Sequence, residues 1–346
     1  MKVTSQKPAP LLDVAGLTVS FATEWELVPV VTDVSFKVGE GEIVCIVGES
    51  GAGKTVALLS VLGLTDRRNT EIGGSVTFRG RSLLDLPERK MRRIRGREIG
   101  FISQNPMTAL TPVHTIGWQI EEQIRVHLNS SRAVARRRAA ELLDEVGLPN
   151  PAKALDLYPH QLSGGMRQRA VIAMALSCNP SLLIADEPTT ALDVTVQAQV
   201  LELLRRRRLD FGLSIILVTH DMGVVGEMAD RVLVMYAGRI VERAPTDVVF
   251  EDPWHPYTWA LLASIPSLHG ERPVSLASIP GMPPAFTALP KGCSFAPRCS
   301  FRFEPCAETP PRHEDGEHAA LCFINPSDRP RLRQQVLNPI LGSGGA

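Results

Sequence analysis

An α/β fold on a largely parallel sheet is predicted by three features of this sequence. Apolar runs of strand length, Ile43-Val44-Cys45-Ile46-Val47, Leu182-Leu183-Ile184-Ala185 and Ser214-Ile215-Ile216-Leu217-Val218-Thr219, alternate with segments of helical length. The first run enters a glycine-rich turn, Gly48-Glu49-Ser50-Gly51-Ala52-Gly53-Lys54-Thr55, which meets the pattern G-x-x-x-x-G-K-[ST] at every position. Beyond that turn, Val56-Ala57-Leu58-Leu59 and Val61-Leu62 continue as helix, so the turn sits between a buried strand and a helix N-terminus.

Taken in order, the chain opens with two segments, Leu11 to Phe21 and Val30 to Val38. Both partly alternate apolar and polar residues, as half-exposed antiparallel strands do. Gly39-Glu40-Gly41-Glu42 turns into the strand before the phosphate-type loop, and Gly73 to Gly80 reads as a further edge strand. Leu83 to Arg97 is charged and expected to be helical, and Ile99 to Ser103 forms a short strand ending at Gln104. Residues 105–162 read as a helical insert. Asn129-Ser130-Ser131 caps a helix there whose buried face is Ala135, Ala139, Leu142, Leu143 and Val146, and Gly147 stops it. The sheet resumes at 182–185, with a helix from Val194 to Leu209 behind it. Arg231–Tyr236 and Arg239–Glu242 flank Ala237-Gly238 as a hairpin.

The loop dictates a ligand. Glycine lets main chain approach an anion without an intervening Cβ, so successive N–H groups and the positive helix end face phosphate oxygens. Lys54 adds a mobile cation, and the Thr55 hydroxyl is placed to ligate Mg²⁺. A nucleoside triphosphate is the ligand this predicts. Asp186-Glu187 closes the second apolar run; an acid there can hold Mg²⁺ through water, and its neighbour can orient or deprotonate an attacking water.

The bulk composition narrows the classes. The chain has 346 residues, 44% of them hydrophobic, with Lys+Arg and Asp+Glu equal at 37 each, so a neutral globular protein of about two domains is expected. Neutrality gives nucleic-acid binding no support. The runs Arg205–Arg208 and Arg136–Arg138 read as a solvated helix end and a solvated helix face. The N-terminus lacks the apolar stretch of a signal peptide, and no run of about eighteen apolar residues occurs, so a cytosolic chain is expected.

Leu162-Ser163-Gly164-Gly165-Met166-Arg167-Gln168-Arg169 is a second glycine-rich turn opening a helix, for which Ser163 serves equally as an ordinary N-cap. It resembles the signature of ATP-binding cassette (ABC) ATPases. The phosphate loop, Gln104, the signature, Asp186-Glu187, Thr190-Ala191-Leu192-Asp193 and His220 stand in that family's order over about residues 10–250. The resemblance implies a P-loop NTPase cassette with a RecA-like core, an antiparallel β subdomain and a helical insert. It further implies two cassettes packed head to tail, each ATP lying between one phosphate loop (residues 48–55) and the partner's Ser163-Gly164-Gly165. Phe21 would stack on adenine, with Trp25 the second candidate. Gln104 would sense Mg²⁺ and water and contact the membrane partner. Thr55 and Asp186 would hold Mg²⁺, Glu187 would be the catalytic base, Asp193 would bridge the sites and His220 would contact the γ-phosphate.

Tyr158-Pro159-His160-Gln161-Leu162-Ser163, Asp186 to Thr195 and Trp254-His255-Pro256-Tyr257-Thr258 are similar to the peptide and nickel importer ATPases, whose loop-rich C-terminal extension resembles residues 251–330 here. The implied layout is a cassette over 1–250, its helical insert at about 105–162, and an extension over 251–346. The implied partners are a second cassette ATPase, identical or not, two transmembrane permease subunits and, indirectly, a substrate-binding protein. This would place the chain peripherally on the cytoplasmic face of the inner membrane. Import of di- or oligopeptides is the expected task. Nickel or another small solute, a soluble cassette ATPase and a redox-responsive regulator are the alternatives.

The extension holds four of the six cysteines, Cys293, Cys299, Cys306 and Cys322, whereas Cys45 and Cys178 sit in core-like contexts. Disulfides are not expected in a cytosolic chain. Four thiols in a proline-rich tail suggest metal, in a spacing unlike zinc-finger pairs or ferredoxin runs. The subfamily resemblance favours a [4Fe-4S] cluster over zinc, with unligated thiols the remaining case. Residues 270–330 are expected to lack a core of their own, and the tail is expected to be separate from the phosphate loop's core.

Overall fold

The computed structural model describes residues 9–190, 192–265 and 279–341. Two compact units divide them. The first comprises residues 1–13, 37–43 and 76–218, and the second 14–36, 44–75 and 219–346.

The chain begins with β1 (Leu12–Ala22), β2 (Leu27–Val38) and β3 (Ile43–Val47), then α1 (Lys54–Val61), β4 (Thr70–Phe78) and the short β5 (Arg81–Ser82). Next come α2 (Glu88–Ile94), β6 (Ile99–Ile102), α3 (Pro106–Ala109), α4 (Ile116–Leu128), α5 (Arg132–Glu145), α6 (Pro151–Ala154) and α7 (Gly164–Leu176). After these run β7 (Leu182–Asp186), α8 (Val194–Phe211), β8 (Ser214–Val218), α9 (Met222–Met228), β9 (Arg231–Tyr236) and β10 (Arg239–Pro245). Last are α10 (Thr246–Glu251), α11 (Pro256–Ala263), β11 (Arg312–Asp315), β12 (His318–Leu321) and α12 (Arg329–Leu341).

In the first unit β6, β7 and β8 are parallel, with Ile99 opposite Leu182 and Leu182 opposite Ser214. All five residues of β7 and of β8 are buried, which is why each reads as an unbroken apolar run rather than an alternation. The helices α4 and α5 meet through the face the spacing predicts: Ala135, Ala139, Leu142 and Leu143 are buried, and Ser131 caps α5 by accepting the Val134 N–H. Asn129 ends α4 in the left-handed region and Gly147, at φ 71°, ends the turn after α5.

In the second unit β3 pairs parallel with β9, β9 antiparallel with β10, β10 with β12, and β12 with β11. The β9–β10 turn has positive φ at both Ala237 (44°) and Gly238 (81°), the twist a two-residue hairpin requires.

Two expectations need correction. The helix foreseen over 83–97 is confined to Glu88–Ile94, because Pro87 starts it and Gly96, at φ 83°, follows its end. Within the run Arg205–Arg208, Arg207 is buried rather than solvated; it pairs with Glu145 and donates to Asn179. The extension packs together with α11 and α12: Trp259, Cys322 and Ile324 form a buried cluster against which Phe301, Leu332 and Val336 pack. It also adds β12 to β10. The carboxylate of the fully buried Glu242 on β10 accepts from the N–H groups of Trp254 (2.5 Å) and His255 (2.9 Å) and from the Thr258 hydroxyl, and pairs with His318 Nε2 at 2.8 Å. One buried acid thus ties cassette strand, α11 and β12, and its donors answer its desolvation.

Candidate functional site

The phosphate-type loop of the second unit is shaped by what surrounds it. Gly48 adopts φ 151°, and a Cβ there would lie 2.1 Å from the Met235 carbonyl oxygen. Gly53, at φ 95°, is the N-cap of α1 and offers no capping side chain. The helix start therefore carries no side-chain cap of its own. Gly238, at the hairpin tip, donates its N–H to Ala52 O at 2.9 Å, and its own carbonyl accepts from Thr32 at 2.8 Å. Lys54 is 6% exposed, its ammonium donating to Gly48 O at 2.7 Å and Glu49 O at 2.9 Å. The cation is thus folded onto the loop it serves. His220, exposed at the end of β8, lines one cavity with Gly48 and Glu49. Phe21 is half-buried in β1, whereas Trp25 stands 90% exposed in the turn after it. Ser50 and Gly51 are exposed, Ala52 is buried and Thr55 is half-buried.

In the first unit, Asp186 ends β7 buried and Glu187 follows it half-buried. Glu187 holds φ 49°, a left-handed backbone costly for a non-glycine residue, and its N–H donates to Val218 O at 3.0 Å. Its carboxylate accepts from the Thr190 hydroxyl at 3.1 Å. Strain at the candidate base, held by two hydrogen bonds, fixes where the carboxylate points. Gln168, which sequence reading passed over, is buried on α7 and donates from Nε2 to Pro188 O at 2.7 Å. It bolts the segment after Glu187 to the helix that the signature opens. Only its place inside the signature could have flagged it.

Ser163 is the exposed N-cap of α7, accepting from Met166 N–H at 3.3 Å, and Gly164 is exposed with Gly165 half-buried beside it. A Cβ on Gly164 would meet nothing within 4 Å. Asp193 caps α8 by accepting the Val196 N–H at 3.0 Å, and Gln104 is exposed after β6. Local structure accounts for Ser163 and Asp193 as caps, and their exposure leaves both available outward.

The four tail cysteines are brought together. Cys293, Cys299, Cys306 and Cys322 line one cavity with Phe295, Phe301 and Ile324, and Cys293 N–H donates to Cys306 O at 3.0 Å. Burial pushes the Cys299 thiol up to about 11 and the Cys322 thiol up to about 12, and raises Cys293 likewise. Nearby, Arg329 is buried over the Trp254 ring, with Nη1 and Nη2 lacking hydrogen-bond partners and its pKa lowered by desolvation. Cys322 lies within its electrostatic reach. Among the described residues, no group of three or more His, Cys, Asp or Glu side chains is set to hold a metal ion.

The tail is not separate from the phosphate loop. Arg298, between Cys293 and Cys299 in sequence, forms an ion pair with Glu49 at 2.5 Å, and the Glu49 N–H donates to the Tyr257 hydroxyl at 2.8 Å. This overturns the expectation of an independent tail, since local periodicity carries no trace of a contact spanning 249 positions.

A strand, a glycine-lined anion loop with its own lysine, and an acid pair closing a parallel strand define a phosphate-loop nucleotide-binding cassette. The description "ABC transporter" matches residues 31–190, and "Oligopeptide/dipeptide transporter, C-terminal region" matches 241–306. A relative from Brucella ovis named peptide import ATP-binding protein is 51% identical over 321 residues, covering 89% of this chain and 95% of the relative. A Brucella abortus protein of the same description is 50% identical over 307 residues, covering 89% and 92%. A solved dimeric ATP-binding cassette, MJ0796, in a post-hydrolysis state with ADP and Pi, is 28% identical with a TM-score of 0.63; the match covers 68% of this chain and 98% of that one. The chain belongs to the ABC transporter family, and its fold is that of the ATP-binding cassette.

Proposed function

We propose that this chain is the ATP-hydrolysing subunit of an importer of di- or oligopeptides. The observation that carries it is the joint match of an ABC transporter cassette and an oligopeptide/dipeptide transporter C-terminal region in one chain. Residues 1–250 are the cassette, with its helical insert at about 105–162, and 251–346 the extension. The chain pairs with a second cassette, works with two permease subunits supplied by a substrate-binding protein, and sits on the cytoplasmic face of the inner membrane. No helix among the described residues is long and apolar enough to cross a membrane.

Gly48, Glu49, Ser50, Gly51, Ala52, Gly53 and Lys54 bind the β- and γ-phosphates, and Phe21 takes adenine. Thr55 and Asp186, with Gln104, offer the hard oxygen donors that Mg²⁺ prefers; bound there, Mg²⁺ neutralises phosphate charge. Glu187 takes the proton from the attacking water, a role its pinned backbone suits, and His220 meets the γ-phosphate. Ser163, Gly164, Gly165 and Asp193 serve the partner's nucleotide, which the exposure of Ser163, Gly164 and Asp193 supports. Reconstitution with the co-purified permease and binding protein tests the reading. Peptide should stimulate ATP hydrolysis and accumulate inside the vesicles; stimulation by nickel alone would replace the substrate.

For the tail, a [4Fe-4S] cluster on Cys293, Cys299, Cys306 and Cys322 is the cofactor the subfamily resemblance favours, with zinc as the alternative, although among the described residues no side-chain group is set to hold a metal ion. Four soft thiols line one cavity, and Arg329, whose Nη1 and Nη2 lack hydrogen-bond partners, lies within electrostatic reach of Cys322. Such a cluster would supply a covalent cross-link and an electron-accepting centre. Anaerobic metal analysis decides: about four irons with matching sulfide supports it, one zinc changes the metal, and neither metal sinks it.

A further inference from the structure

We propose that Arg298 is a positioning residue of the phosphate loop, so that the C-terminal extension presets the site where ATP binds. The proposal rests on residues 48–55 being that site. Glu49, the loop's second residue, is held at three points. Its N–H donates to the Tyr257 hydroxyl at 2.8 Å, and its carbonyl accepts from Lys54 Nζ at 2.9 Å. Its carboxylate takes both ends of the Arg298 fork, Nη1 to Oε2 at 2.5 Å and Nη2 to Oε1 at 3.0 Å. Two of those three holds come from outside the loop, from α11 and from the segment between Cys293 and Cys299.

Arg298 is itself fixed. Its side chain is 4% exposed, Nε donates to Pro280 O at 2.9 Å, Nη2 to Ile279 O at 3.2 Å, and Nη1 reaches the Tyr236 hydroxyl at 3.4 Å. An exposed ion pair would hold nothing in place. A bidentate guanidinium drawn out of water, with its remaining donors occupied, does. On the loop's other side, Gly48 lies so close to Met235 O that no side chain fits. The loop entrance is therefore clamped between β9 and the extension.

Two consequences favour ATP. A loop already ordered before the ligand arrives loses less freedom on binding. Arg298 also neutralises a carboxylate that would otherwise face a polyanionic ligand, and like charges at a half-buried position repel strongly. Arg298 acts on the loop through the Glu49 carboxylate. A purely architectural role, gluing the extension down, predicts lost stability with unchanged affinity.

The test uses the full chain with Mg²⁺ and ATP, reading Kd by calorimetry and amide exchange over residues 48–54 without nucleotide. Arg298→Ala should raise Kd about tenfold and speed that exchange. Arg298→Lys, a point charge without the fork, should fall between. Adding Glu49→Gln to Arg298→Ala should recover part of the affinity, because the unpaired charge is gone. Arg243→Ala, which removes a different ion pair of the extension, with Glu314, should leave Kd unchanged. A Kd for Arg298→Ala within twofold of wild type, with unchanged exchange, overturns the proposal. Should that variant fail to fold, Arg298→Lys decides by the same two readings. Absence of ATP binding to the wild-type chain would instead remove the nucleotide assignment beneath it.

Discussion

Two glycine-led turns open helices in this chain, α1 behind the phosphate loop and α7 behind Ser163, and their glycines are there for different reasons. At α1 the chain's own fold demands them: a Cβ on Gly48 would collide with Met235 O, and Gly53 sits at φ 95°. That turn is enclosed, with Lys54 folded inward and Glu49 clamped by Arg298 and Tyr257. At α7 nothing in the fold demands a glycine at position 164. Ser163 already caps the helix, Gly164 faces open space, and the turn is exposed. The first turn is shaped by its own surroundings. The second is exposed at Ser163 and Gly164, as the proposal that it serves a partner's nucleotide requires.

The largest effect should come from neither turn but from Glu187, the proposed base. Glu187→Gln should retain ATP binding and lower turnover in the assembled complex about a hundred- to ten-thousand-fold, as removal of a positioned base does. Near-normal hydrolysis would move the base elsewhere and leave the two turns as binding elements only.

Gly48→Ala comes next and breaks the enclosed turn. Something must shift to admit the methyl, and a packed strand does not yield cheaply; overpacking costs about 1–3 kcal/mol. Thermal melting should fall accordingly, and ATP binding by the isolated chain should be lost. Retained binding would mean that the clamp on the loop is looser than the geometry implies.

The contrast also marks what sequence could and could not convey. The phosphate loop, β3, the Ala237-Gly238 hairpin and the buried face of α5 were legible because each is written locally, in a motif, an apolar run, a turn pair or a helical period. The Arg298–Glu49 pair, the Gln168–Pro188 bond, the buried Arg207 and the addition of β12 to β10 were not. Each joins residues far apart through side chains whose local context reads as ordinary surface or loop. Gln168 sat in the signature and still went unnoticed, because its bond goes to a backbone carbonyl and not to a ligand.

Ser163→Ala should have a smaller effect on the isolated chain. Its hydroxyl satisfies one orphan N–H at the start of α7, and such a cap is worth about 1 kcal/mol. Urea unfolding should register that loss while ATP affinity at the chain's own loop stays as it was. A drop in affinity would mean that α7 helps its own loop.

Gly164→Ala should have the smallest effect on stability and is the sharpest test of the comparison. The position is the first of α7, its added methyl meets no atom within 4 Å, and alanine suits a helix better than glycine by roughly 0.5–1 kcal/mol at interior positions, less at an end. The isolated chain should therefore be unchanged or slightly more stable, with its own ATP binding intact. In the assembled pair the same methyl would stand where the partner's γ-phosphate approaches, and steady-state hydrolysis should fall. Loss of stability in the isolated chain would show that the exposed turn is demanded by its own fold after all. Full hydrolysis in the pair would show that nothing docks against Gly164, and the head-to-tail arrangement would go with it.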